Sequence, residues 1–287
     1  MSKILITGGS GMLGRYVRSK IEAAGYDIVM PTRLEMDLMN PGGVYAFIRN
    51  AAPDAILHLA AETDVDLCER NPRRAGIANQ LATRAVAQAA RDTGAWLLAI
   101  STAGVFGGDV RPLSNELDMP SPVNYYGKSK LFGEKEIAAF YPGNSLIIRA
   151  GWMIGGGRDY DHKFVGKMVG QIAKGTDLLR AVSDKYGTIT SAPALANFIA
   201  VSLKTRRQGL LHFSSAGVVS RFDIAGELAN IVSFKGRIEP VLSSEFPLSA
   251  PRPVFDGITS IYLDTGEEYA PHYWRDDLRN YMMEFGF

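Results

Sequence analysis

Apolar residues occur in short runs, and between the runs they return at every third or fourth position. The runs at 3–7, 27–30, 55–59, 96–101 and 145–149 read as strands, apolar enough for strands covered on both faces. Between them, Met12, Leu13, Tyr16, Val17 and Ile21 keep helical spacing, as do Leu81, Ala85, Val86 and Ala89 within 78–91. A further helix is expected over 128–140. Strands alternating with helices predict an α/β fold, a Rossmann-type doubly wound parallel sheet. After Trp152 the pattern shortens. It predicts helices near 163–173, 193–204, 222–232 and 275–285, strands at 210–213 and 236–241, and a proline-rich stretch around 247–253. These elements predict a smaller C-terminal lobe over about 151–287, with about 192–215 returning to the first domain of residues 1–150.

Composition is that of an ordinary globular chain. With 46% hydrophobic residues over 287 positions there is ample core, and a net charge of +1 points to neither nucleic acid nor an anionic membrane surface. No apolar run approaches the roughly 20 residues that span a bilayer, and the chain starts on a strand, so a cytoplasmic protein is expected. Cys68 is the single cysteine, which excludes an internal disulfide.

The first chemical signal is the glycine spacing Gly8, Gly11, Gly14 between the first strand and the first helix. Gly8 provides the tight turn, Gly11 lets the backbone approach a pyrophosphate, and Gly14 lets helix and strand pack closely, which is a dinucleotide cradle at a helix N-terminus. The second is Tyr126 with Lys130 four residues on, one turn apart on one helical face. An ammonium so close is expected to lower the tyrosine pKa and suit it to proton donation. Ser101 and Thr102 end the fourth strand, at the carboxyl edge where open sheets bind ligands. His58 ends an apolar strand and reads as a core histidine without chemistry. Asp64, Asp66 and Glu69 read as helix caps and solvated charge, and no metal is expected.

Together these residues resemble the extended short-chain dehydrogenase/reductase superfamily and, within it, the dTDP-4-dehydrorhamnose reductases. The likeness rests on the glycine triplet, Ala60-Ala61 followed by Thr63 to Asp66, Asn79, Ser101-Thr102, Tyr126 to Lys130, Trp152, Phe164 and the Ala250-Pro251-Arg252-Pro253 run. It implies NADPH-dependent reduction of the 4-keto group of a nucleotide-linked 6-deoxyhexose. Thr102, Tyr126, Lys130 and Asn79 would be catalytic, with Asn79 supporting a water relay to Lys130. Ser10, Met12, Leu13, Leu59, Ala60, Ala61 and Ser101 would join the glycines, Tyr126 and Lys130 around the cofactor, with Asp37 and Leu38 at the adenine. Thr63, Val65, Ala103, Trp152, Phe164 and Arg252 would meet the substrate, Trp152 on the sugar face and Arg252 at the diphosphate. A monomer or homodimer is expected, with residues 1–150 carrying NADP and the C-terminal lobe the substrate.

Several positions depart from the resemblance. Ala103-Gly104 stands where family members have Asp-Tyr, Glu62 where an aromatic residue is usual, and Phe255-Asp256-Gly257 where a Ser-containing run follows the Arg-Pro pair. Ala103 and Gly104 cannot drive the water elimination of the superfamily's dehydratases. Thr32 and Arg33 end the second strand where NAD-holding epimerases present an acid, and an arginine there can pair with a 2′-phosphate. NADP is therefore expected over NAD. Two alternatives stand: an NADP-binding partner module resembling the regulatory subunit of methionine adenosyltransferase, and a nucleotide-sugar epimerase.

Overall fold

The structure is a computed structural model that describes residues 2–108, 110–263 and 271–287. The strands β1 (Lys3–Thr7), β2 (Asp27–Val29), β3 (Ala55–His58), β4 (Trp96–Thr102) and β5 (Ser145–Ala150) form at or within two residues of the expected bounds. With Gly209–Phe213 they make one parallel sheet. Its order runs from Gly209–Phe213 through β5, β4, β3 and β1 to β2. The strand at 210–213 is thus the edge of the main sheet, within the segment of about 192–215 expected to return to the first domain. Order reverses between β1 and β3, the crevice where open sheets of this kind bind ligands.

Helices cover both faces. On one, α1 (Met12–Ala23) and the helix Ala192–Thr205 bury Leu13, Val17, Ile21, Leu195 and Phe198 against Ile4, Ile6 and Leu57. On the other, α2 (Pro41–Ala51), α4 (Ala82–Thr93) and α5 (Tyr125–Phe140) bury Val44, Ile48, Val86 and Ile137 against Leu5, Ile56 and Leu97. The short α3 (Val65–Arg70) precedes α4, and its N-cap is Asp64. The helix expected over 78–91 opens as a π-helical segment, Gly76–Leu81, before it becomes α4. Such segments arise where tertiary contacts outweigh local bonding, and Asn79 lies within it.

A third core joins α6 (Phe164–Ala173), α8 (Arg221–Ile231) and α9 (Trp274–Met282) to short strands, with Val165, Leu179, Ile224, Leu228 and Leu278 buried together, while α7, the helix Ala192–Thr205, packs on the main sheet. Here Trp152–Ile154 pairs in parallel with Ile189–Ser191, and Leu178–Val182 with Arg237–Val241. The three-residue pairing has too little period to read from sequence. Among the described residues no helix is long and apolar enough to cross a membrane.

Candidate functional site

A cleft of about 1180 Å³ runs along the carboxyl edge of the sheet. The glycine cradle floors one end. Gly8 has φ +69°, and a Cβ on it would sit 2.8 Å from the Ala60 nitrogen; one on Gly14 would sit 2.3 Å from the Gly8 oxygen. A Cβ on Gly11 would meet only the Gly8 oxygen, at 3.2 Å, so a side chain there would enter the cleft. Glycine at all three positions leaves a backbone-lined hollow at the N-terminus of α1, which fits the pyrophosphate of a dinucleotide. Ser10, Met12, Leu13, Asp37, Leu38, Leu59, Ala60 and Ala61 line the same end.

Thr32 and Arg33 also line it, and Arg33 is exposed with no ion pair to any described residue. An acid does stand close by. Glu35 accepts hydrogen bonds from the Thr32 N–H at 2.7 Å and the Thr32 hydroxyl at 2.8 Å, which hold its carboxyl below the usual range. The carboxylate caps the turn after β2, a local bond that strand-end spacing does not reveal.

At mid-cleft β4 and the first turn of α5 converge. Thr102 accepts from the Gly104 N–H at 3.0 Å and its hydroxyl is bonded to the Tyr126 phenol, and Tyr126 and Lys130 line the cleft beside it. Asn124 caps α5 and sets the helix start, its Oδ1 accepting from the Gly127 N–H at 2.9 Å. Lys130 is buried and donates to the Ile100 carbonyl at 2.8 Å. Burial pulls its pKa down to about 8, opposed by attraction to Glu134. The expected depression of the Tyr126 pKa is not found. Burial raises it, with the bond to the Thr102 hydroxyl acting the other way, because removing water disfavours the charged phenolate.

Ser101 lines the cleft, but its hydroxyl donates to Glu134, so of the pair it is Thr102 that meets the phenol. Asn79 lies behind the cleft rather than in its wall. Its Oδ1 accepts from the Glu62 N–H at 2.8 Å, and its Nδ2 donates to the Glu62 carbonyl and to Ser129 Oγ, each at 3.0 Å. Both amide N–H groups are committed and the oxygen has taken one of the two bonds it can accept, so the amide ties the segment after β3 to α5. His58 is likewise explained. Thr7 Oγ1 accepts from the Leu59 and Ala60 N–H groups, so its proton goes to His58 Nδ1 and the ring donates from Nε2 to Thr83. Burial and nearby Lys130 push the ring down to about 3. It stays neutral.

At the far end lie Thr63, Val65, Ala103, Trp152, Phe164 and Arg252. Arg252 is bonded to Asp66 at 2.7 Å and to the Ala250 carbonyl at 2.9 Å, so it faces the cleft already paired. Asp64 caps α3, and Glu69 accepts the Tyr125 N–H at 2.9 Å. The three carboxylates of this segment are thus committed to local structure.

A family model described as the RmlD substrate binding domain matches residues 2–286. The structure of dTDP-4-dehydrorhamnose reductase from Yersinia enterocolitica is 52% identical, with a TM-score of 0.97, over 99% of this chain and 100% of that one. The chain belongs to the dTDP-4-dehydrorhamnose reductase family. The reductase of that name from Bacillus anthracis str. Ames, solved in complex with NADP, is 29% identical with a TM-score of 0.92, over 99% of both chains. That from Mycolicibacterium smegmatis (strain ATCC 700084 / mc(2)155) is 33% identical over 90% of this chain and 78% of its own.

Within this reductase fold, three features escaped the motifs. Glu134 follows Lys130 by one turn on the same face of α5, and its carboxylate holds Arg149 at 2.7 and 3.0 Å, both side chains being under one-tenth exposed. The spacing Tyr126, Lys130, Glu134 was visible; the partner on β5 was not. Glu62 faces the cleft but is held by Arg74 at 2.9 Å. Arg221, on α8, also enters the cleft, and nothing in its local sequence marks it.

Proposed function

We propose that this protein reduces the 4-keto group of a nucleotide-linked 6-deoxyhexose with NADPH, as the names of its relatives suggest. The observation that carries this is the convergence of Thr102, Tyr126 and Lys130 on one stretch of a cleft that begins in the glycine cradle. NADPH, when bound, supplies the hydride that reduces the ketone carbon. Tyr126 gives its proton to the ketone oxygen. A phenol whose pKa is raised by burial enters the reaction protonated, which suits an acid. Thr102, whose hydroxyl meets the phenol, turns its proton to the same oxygen and fixes its direction. Lys130 has one N–H on the Ile100 carbonyl and two more for the cofactor ribose and the phenol. The glycine backbone and the α1 N-terminus take the pyrophosphate, and Arg33 takes a 2′-phosphate, favouring NADPH over NADH. The non-catalytic partner module and the epimerase are less favoured, since relatives that match along the whole chain are named reductases.

The test is NADPH oxidation by the purified protein with dTDP-4-dehydrorhamnose and a panel of other nucleotide-linked 4-keto sugars. Consumption of NADPH with formation of the 4-hydroxy sugar is expected. A protein that binds NADPH and is inert to the whole panel would overturn the reading.

A further inference from the structure

Two charged residues of the cleft take no part in the steps above. Arg221, the first residue of α8, lays its guanidinium over the Trp152 indole, 3.9 Å from the ring centroid, and lies 5.1 Å from that of Phe164. It makes no hydrogen bond or ion pair to any described residue, so its five N–H donors lack an acceptor among the described residues. Asp256 stands at the edge of the same indole. Its Oδ2 accepts from Trp152 Nε1 at 3.2 Å, while its Oδ1 is buried without a hydrogen-bond partner. A Cβ on Gly187 would sit 2.5 Å from that Oδ1 and 2.6 Å from the indole, so the glycine is what lets carboxylate and ring lie together.

Arg221 and Asp256 attract each other, yet no ion pair joins them. A donor without an acceptor and an acceptor without a donor, held apart by one aromatic ring, are satisfied together by a group that can accept and donate at once. A hydroxyl does this. A phosphate would suit Arg221 but meet repulsion from Asp256, and a ketone could use the arginine alone. We infer that Arg221 and Asp256 jointly grip a ring hydroxyl of the substrate sugar and so decide which 4-keto sugar the enzyme accepts. This rests on the reductase reading above. It also accounts for the departure at 255–257, where a carboxylate replaces the polar run with serine that the sequence likeness leads one to expect.

The experiment is steady-state kinetics with nucleotide-linked 4-keto-6-deoxyhexoses that carry or lack the 2- or the 3-hydroxyl. The parent enzyme is expected to prefer the hydroxylated sugar over one of the deoxy analogues by about a hundredfold or more in kcat/KM, the penalty for leaving a polar grip unfilled. Asp256→Ser and Arg221→Met should each raise KM for the hydroxylated sugar about ten- to a hundredfold. Both should bring the preference close to one, with NADPH affinity unchanged as the check on folding. Asp256→Asn, which keeps the shape and one acceptor, should recover part of it. A parent enzyme indifferent to both hydroxyls, or variants that keep the full preference, would overturn the grip. Should the parent reduce no 4-keto sugar at all, the reductase reading fails instead. The grip is then read by calorimetry, as the gain in affinity of a dTDP-linked 6-deoxyhexose over dTDP alone, which Asp256→Ser should abolish and which, if retained, refutes it.

Discussion

Tyr126 combines a pKa raised by burial with a hydroxyl bonded to Thr102, and the raised pKa favours proton donation over proton abstraction. Tyr126→Phe removes one hydroxyl and leaves the ring, so single-turnover NADPH oxidation should slow about a hundred- to ten-thousandfold while NADPH titration is unchanged. Lys130 gives a pH dependence of defined sign. Its pKa is lowered to about 8, so the ammonium is present below that value and lost as pH rises through it. NADPH affinity of the free enzyme should therefore fall above about pH 8, and in Lys130→Met this step should vanish along with most turnover. An affinity flat from neutral to alkaline pH in the parent would remove Lys130 from the cofactor. The residue scale is also where sequence leaves the partners of polar groups open. Asn79 and Ser101 occupy the right positions in sequence, but their polar atoms are committed to Glu62, Ser129 and Glu134.

At the scale of elements, α5 carries the chemistry on one face and anchors it with the same face. Tyr126, Lys130 and Glu134 follow at four-residue spacing, and the Glu134–Arg149 pair locks the third turn of the helix to β5 beneath the cleft. Removing one member of a buried pair leaves the other charge without compensation. Glu134→Ala should lower unfolding free energy by about 3–5 kcal/mol in denaturant melts. The double change Glu134→Leu with Arg149→Met should recover much of that loss. If the single variant melts like the parent, the pair does not hold the helix. Strand bounds in the main sheet were legible because apolar runs mark them, whereas the helix α2 (Pro41–Ala51) was not expected from the sequence. The π-helical turn at Gly76–Leu81 was not, since its cause is the tie from Asn79 to a segment seventeen positions earlier and to another helix.

Across the whole molecule the cleft joins two ends that contribute separately, the glycine cradle with Arg33 at one and Trp152 with Arg221 at the other. Arg33→Ala should reduce the preference for NADPH over NADH about ten- to a hundredfold in direct titrations, with kcat at saturating NADPH within about twofold of the parent. An unchanged ratio would assign the 2′-phosphate elsewhere. By itself the sequence determined the alternating strands and helices, the glycine cradle and the tyrosine–lysine turn, because period and spacing are local properties that a chain carries with it. Tertiary structure alone decided that Glu35 folds onto Thr32, that Arg252 faces the cleft already paired with Asp66, and that Arg221 and Asp256 meet at Trp152. Those contacts join residues from turns, caps and short strands far apart in the chain. Which polar group is left free depends on which of its neighbours has already bonded it.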